Sequence, residues 1–287
     1  MKFSFIDAER GTLSVSALCR ELRVSRSGFY AWQKRPVPRR EERNEALVKE
    51  IREVHSNSRG RYGSPRVYKT LRRRGIACGR NRVARLMQLY SIVACSERKF
   101  RNLSTYSGQL AAAPDLLQRD FRACEPNQVW VSDMTFLSTR QGWLHLCVVL
   151  DLYSRRCVGW SLGARPNHEL AHQALENAIQ HRRPPPGLIF HSDQGGAYLS
   201  YAMQQLLDDN RIRMSTSRPG NCLDNAVAES FFKTLKVEMY FHRIFTDRQE
   251  VHTALFEYIE AFYNTVRLHS TLGYRSPTEY ETTQNAA

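Results

Sequence analysis

No two cysteines in this sequence are spaced as Cys-x-x-Cys, and the seven that occur (Cys19, Cys78, Cys95, Cys124, Cys147, Cys157 and Cys222) are odd in number. Neither a zinc site nor a disulfide framework is indicated, and reduced thiols suit a cytosolic protein. No charged-then-apolar segment opens the chain, so no secretory signal is expected. Long hydrophobic runs are missing as well. The most apolar stretch, Trp143 to Leu150, contains His145 and stops at Asp151, far short of a membrane span. Internal repeats and low-complexity tracts are absent, and no heptad pattern lasts three repeats, which argues against a long coiled coil. A soluble, cytoplasmic chain without a membrane partner is expected.

Acidic residues are scarce at one end only. Residues 1–100 hold 24 Lys and Arg against nine Asp and Glu, whereas the remaining 187 residues hold 18 and 19. The basic footprint of a polyanion binder therefore sits in the N-terminal third. Within it, Val15, Leu18, Cys19 and Leu22 fall on one helical face. Ser25 can cap a second helix that turns Phe29 and Trp32 inward, and Pro36 and Pro38 close it. Residues 1–40 thus read as a helix-turn-helix-like segment. A second unit spans 41–100. Ser64-Pro65 opens a helix there, with Ser as N-cap, and Arg72-Arg73-Arg74 followed by Gly75 ends it. Residues 51–100 hold thirteen basic and two acidic residues, where a merely solvated face would interleave the signs. Arg59, Arg61, Arg66, Arg80, Arg82 and Arg85 are the expected DNA contacts.

Periodicity fades over 101–125, which reads as a linker with one short helix near Leu116. From 126 to 287 the pattern changes. Strand signals at Val129–Phe136, Trp143–Leu150 and Arg156–Leu162, joined by tight turns, predict an antiparallel meander. An amphipathic helix over His168–His181, a strand at Leu188–Phe190, a helix at Ala202–Asp209, a strand at Ile212–Ser215 and a further helix then alternate.

Three carboxylates stand out in this second part. Asp133 lies mid-strand, where Asp is depleted, and a carboxylate facing a core is costly unless paired or bound to a metal. Asp193 ends a short apolar strand just before Gln194-Gly195-Gly196. Glu229 rides the helix opened by Asp224-Asn225, and 35 residues separate it from Asp193. Together they look like hard-oxygen ligands for Mg²⁺ or Mn²⁺. Blander readings exist for each: Asp before Gly is common in turns, Glu229 could be a solvated helix position, and Asp133 a hydrogen-bonded edge residue. Asp151 also ends an apolar strand, but Arg155 or Arg156 could simply neutralise it. His191 and Asn225 are expected to support the site. Lys233 and Lys236, on the same side of their helix as Glu229, are expected to meet DNA backbone, or in the bland case to pair with Glu229. Arg218, in the Gly/Pro-marked loop Ser217–Asn221, is a further candidate contact.

This pattern resembles the Asp-Asp-Glu core of retroviral-type integrases and of bacterial insertion-sequence transposases, specifically the ORFB-type products of elements that transpose through a circular intermediate. The strings around Asp193 and Glu229, and the C-terminal Tyr263-Asn264-x-x-Arg267-x-His269-Ser270-x-Leu272-Gly273-Tyr274, carry the resemblance. It implies an α/β ribonuclease H-like core, a mixed five-stranded sheet flanked by helices, behind small all-α helix-turn-helix units. In such a sheet the first strand is central and the fourth lies beside it, which brings Asp133 and Asp193 together. It also implies two ions per active site and a DNA transposase that cleaves element ends and joins the freed 3′-hydroxyl to target DNA, as a homo-oligomer on double-stranded DNA at the bacterial nucleoid. The chain departs from the family in lacking the zinc domain of retroviral integrases. The further helix-turn-helix and leucine zipper that an upstream frame supplies in the family are also not found in this sequence. A non-catalytic DNA-binding regulator, or a nuclease of the same fold, are the competing readings. On its chemistry alone the C-terminal motif is a helix end suited to structural docking.

Overall fold

The computed structural model describes residues 2–34, 39–95, 113–118, 122–217, 225–241 and 243–284. The N-terminal unit has three helices: α1 (Lys2–Glu9), α2 (Val15–Glu21) and α3 (Arg26–Gln33). Leu18, Cys19 and Phe29 form its small core as the spacing predicts, and the Ser25 hydroxyl caps α3 by accepting from Gly28 N–H at 3.0 Å. Helix α1 was not expected. Its apolar residues at 3, 5, 6 and 8 share no single face, yet Ile6 is fully buried against Phe29 and its neighbours. The closing prolines, Pro36 and Pro38, lie outside the described residues.

Helices α4 (Arg39–Asn57), α5 (Ser64–Arg73) and α6 (Arg80–Leu89) form the second helical unit. Gly63 rather than Ser64 holds the cap position of α5, with no side-chain cap bond. Pro65 still sits in the first turn, where its missing N–H costs nothing. Gly75 takes the left-handed conformation at φ +79°, and Ile76 N–H closes back on Leu71 C=O at 3.0 Å, the stop that Arg74-Gly75 foretells. Ile51, Val67, Leu71, Val83 and Leu86 fill the unit's interior, and that interior is continuous with the apolar core of the sheet.

The sheet has five strands: β1 (Val129–Thr139), β2 (Gly142–Asp151), β3 (Cys157–Gly163), β4 (Ile189–Ser192) and β5 (Arg213–Thr216), in the order β3-β2-β1-β4-β5. The meander β1-β2-β3 is antiparallel, and β4 and β5 add in parallel. This is the ribonuclease H-like arrangement that the element order predicts. Alternation along β1 puts Trp130 on one face and Val129, Val131 and Leu137 on the other. Helices α7 (His168–Arg182) and α8 (Tyr201–Asp209) cover the Trp130 face. Contact there is close: a Cβ on Gly159 would run into the Ala174 carbonyl of α7. The opposite face is covered by α9 (Ala226–Leu235), by α10 (Arg248–Phe256) and by two wide π turns, Lys236–Tyr240 and Glu257–Tyr263.

The C-terminal motif does dock. Asn264 pairs its amide with both backbone groups of Cys157 on β3, at 3.0 and 2.9 Å. Behind it, Glu281 of α11 (Pro277–Gln284) gathers Arg182, Arg156 and Ser154 at 2.7–3.0 Å. Burial alone would raise the Glu281 pKa, but these donors outweigh it and hold the carboxyl below its ordinary value.

Candidate active site

Register brings the first two carboxylates together. Val131 of β1 is paired with His191 of β4. Two residues further on stand Asp133, still on β1 and on the face that α9 covers, and Asp193, one residue past the end of β4. Asn225, at the start of α9, is buried and donates its amide to Ser132 C=O at 3.0 Å. That bond fixes the first turn of α9, which carries Glu229, against the strand position next to Asp133. Asp133 Oδ1 accepts its neighbour Met134 N–H at 2.7 Å, and Asp193 Oδ1 accepts Gly195 N–H at 3.0 Å, the tight turn that Gly195-Gly196 permits.

Electrostatics records the convergence. Desolvation is the largest cause lifting Asp133, followed by the Asp193 charge and, more weakly, that of Glu229, and together they raise its pKa to about 7. Lys236 pulls the other way. Asp193 and Glu229 keep exposed surface, yet nearby protein pushes both upward by desolvation. Among the described residues no three His, Cys, Asp or Glu side chains stand close enough together to enclose a metal ion. Asp133 thus feels the charges of both Asp193 and Glu229, but the three do not form a closed ligand set. Like charges at such range repel until a cation intervenes.

The surroundings hold the site from behind. His191 is fully buried, its Nδ1 2.9 Å from Ser215 Oγ, so it braces β4 against β5. Ser132 Oγ lies 3.1 Å from Tyr198 OH and 3.6 Å from Cys147 Sγ, all three buried. Burial raises the Cys147 thiol to about 12, which leaves it an inert packing group. On the open side, Lys236 sets its ammonium 4.7 Å from the Phe136 ring centroid, and Lys233 is exposed on α9.

Asp151 has a different environment. It is fully buried, and its two oxygens accept Asn127 N–H at 2.7 Å and Tyr153 N–H at 2.9 Å. Its ion-pair partner is Arg182 at 3.8 Å. Arg156 pairs with Glu281 instead, while Arg155 acts on Asp151 only at longer range. Asp151 is thus a turn and strand-end clasp.

The predicted basic contacts divide. Arg82, Arg85, Arg40, Arg43 and Asn81 line an open cleft of about 470 Å³ between α4 and α6. Only Arg82 of the four arginines has a hydrogen-bond partner among the described residues, Asn44 Oδ1 at 3.0 and 2.8 Å. Arg80 is exposed beside this cleft. Arg61 and Arg66 are a correction. Arg61 is 8% exposed, lies against the Tyr258 and Phe262 rings and donates to Glu238 C=O. Arg66 donates to Leu268 C=O at 2.9 Å. Both turn toward the catalytic core, because flat guanidinium groups bury well on aromatic faces and carbonyls. Arg59 pairs with Glu257 at the surface. Arg218 lies outside the described residues. Arg40 and Arg43 were not among the expected contacts; they belong to the charge run that opens α4.

Comparison with known proteins gives the family. Residues 123–222 and 229–284 each match a family described as Integrase core domain, and residues 42–100 match one described as HTH-like domain. An "Insertion element IS600 uncharacterized 31 kDa protein" of Shigella sonnei is 40% identical over 92% of this chain and 97% of its own length. The transposase InsF for insertion sequence IS3A of Escherichia coli (strain K12) is 38% identical, and the match covers 98% of both chains. The chain belongs to the insertion-sequence transposases. The match runs over nearly the whole of this transposase chain and of its relative. A structure of the HTLV-2 integrase catalytic core domain in complex with magnesium is also similar, at 19% identity and a TM-score of 0.44 over 56% of this chain and 99% of that one.

Proposed function

We propose that this protein is a DNA transposase, a polynucleotidyl transferase that cleaves DNA at the ends of its element and joins the freed 3′-hydroxyl to another phosphodiester. The observation that carries the reading is the convergence of Asp133, Asp193 and Glu229 from β1, the end of β4 and α9, with Asp133 lifted to about 7 by burial and the other two charges. A regulator that only bound DNA would have no use for a half-buried, desolvated carboxylate beside two others.

The donor set is all hard oxygen, and its three carboxylates suit a small divalent cation. Asp133, Asp193 and Glu229 are the residues that would hold Mg²⁺ or Mn²⁺. Bound there, two such ions would supply activation of a water or 3′-hydroxyl and stabilisation of the leaving oxygen. The chain's own residues do the rest. Asn225 and His191 keep α9 and β4 in register. Lys236 and Lys233 face incoming phosphate, and Asp133 stays on the dry side of the site, where its charge interactions are strongest.

Duplex binding is assigned to the cleft of Arg40, Arg43, Arg82 and Arg85, with Arg80 beside it and Arg59 and Arg218 as outlying contacts. The functional division is 1–40, 41–100, a 101–125 linker and 126–287, with the second unit docked on the fourth. Assembly as a homo-oligomer on DNA and cooperation with an upstream-frame product remain part of the proposal. Incubation with duplex element ends and Mg²⁺ tests it. Nicking followed by a joined product in supercoiled target DNA is expected. Nicking without joining would make the protein a nuclease, and neither would leave a DNA-binding regulator.

A further inference from the structure

Glu238 lies in the π turn that continues α9, nine residues after Glu229 and two after Lys236. Its carboxylate, 8% exposed, accepts Arg267 Nε and Nη2 at 2.8–3.1 Å and Tyr258 OH at 2.9 Å. Arg66 of α5 approaches the same carboxylate at 3.6 Å, and Arg61, just before α5, donates to the Glu238 carbonyl at 3.0 Å. Tyr62 completes the joint: its hydroxyl donates to Val266 C=O and accepts Leu268 N–H, at 3.0 and 3.1 Å. One turn therefore receives an arginine from the C-terminal motif and two from the helical unit at 39–95.

The π turn is held wide, with Phe241 N–H bonded to Lys236 C=O at 2.8 Å. Such turns are rare and frequently lie at functional sites. Collapse to ordinary α spacing would rotate one side of the turn against the other by about 100°. Lys236, over Phe136, and Tyr240, whose hydroxyl bonds Ser138 on β1, would both be re-aimed. We propose that Glu238 is a positioning residue: through Arg267, Arg66 and Arg61 it makes the aim of Glu229 and Lys236 depend on docking of the α4–α6 unit. The proposal rests on the transposase reading for its rate, and on the fold alone for its dynamics.

The full chain tests it with Glu238→Gln, Arg66→Gln and the double variant. Hydrogen–deuterium exchange without DNA or metal should rise about tenfold over 226–241 in each single variant while β1 and β2 stay unchanged, as for a local opening. Nicking of end DNA at saturating duplex should fall about tenfold or more, because small misplacements at a reacting centre cost that much. Duplex affinity should stay within about twofold. The double variant should be no slower than the worse single one, since residues sharing one network are not additive. Unchanged exchange over 226–241 in Glu238→Gln, or single effects that multiply in the double, would overturn the proposal. Arg66, about a quarter exposed, carries the exchange test alone if Glu238→Gln does not fold. A wild-type chain that nicks nothing would sink the transposase reading, and the exchange result would still decide the coupling.

Discussion

Burial and the neighbouring charges raise the Asp133 carboxyl to about 7. Its ordinary value is near 3.9, so between about pH 4 and pH 7 the unfolded chain ionises it while the folded chain resists. The fold loses stability over that window as pH rises, and a divalent cation at the site should return it. Added Mg²⁺ is expected to raise Tm at pH 8 and to do little at pH 5. Equal shifts at both values would mean the ion binds elsewhere. Asp133→Ala, Asp193→Ala and Glu229→Ala should each abolish cleavage and joining with duplex affinity retained, and nicking that survives any of them would remove that residue from the site. Asp151→Asn is different in kind. Two backbone N–H groups and Arg182 depend on it, so stability should drop by about 1–3 kcal/mol while the folded variant still nicks DNA; a stable but inactive variant would reverse the assignment. Of the three proposed metal-holding carboxylates, only Asp133 broke a local rule, as an Asp mid-strand; Asp193 before glycines and Glu229 on a helix were legible only through their order and spacing. Arg61 and Arg66 broke none. Their partners lie 177 and 202 residues away, and a formal charge reveals nothing about a carbonyl met in three dimensions.

Elements were legible where periodicity was strong. The five strands and α7 lie where alternation and amphipathic spacing put them, with β1 running three residues further than expected because β2 pairs with it as far as the Thr139–Gly142 turn. The two π turns left no trace in the sequence, since one extra residue per turn is a tertiary compromise rather than a propensity. Close approach of α7 to β3 was equally hidden. Gly159 has no unusual φ, yet any Cβ there meets the Ala174 carbonyl and Ala178. Backbone cannot give way as a flexible side chain can. Gly159→Ala should therefore destabilise by about 1–3 kcal/mol or more, read as a lower urea midpoint at unchanged m value. A neutral result would mean that α7 slides on the sheet.

At the scale of the whole molecule, the charge asymmetry and the packing pull apart. The N-terminal third carries the positive balance, which suggests an autonomous DNA-binding piece. The structure instead joins the α4–α6 interior to the core of the sheet, and Tyr62, Arg61 and Arg66 bind main-chain groups of residues 238–268. Severing the chain in the linker would expose that joint, so binding is better measured on the full chain with charges removed in place. Every phosphate no longer met by a cation should make the slope of log K against log salt shallower by about 0.9. Arg40→Gln with Arg43→Gln, and Arg82→Gln with Arg85→Gln, should each flatten the slope by about one to two units, and nicking at saturating DNA should persist. Arg61→Gln should leave the slope unchanged, because that guanidinium is enclosed by Tyr258 and Phe262. Fluorescence anisotropy across a salt series separates the cases. A slope unmoved by both cleft variants would shift the main duplex track to Lys233 and Lys236 at the catalytic site.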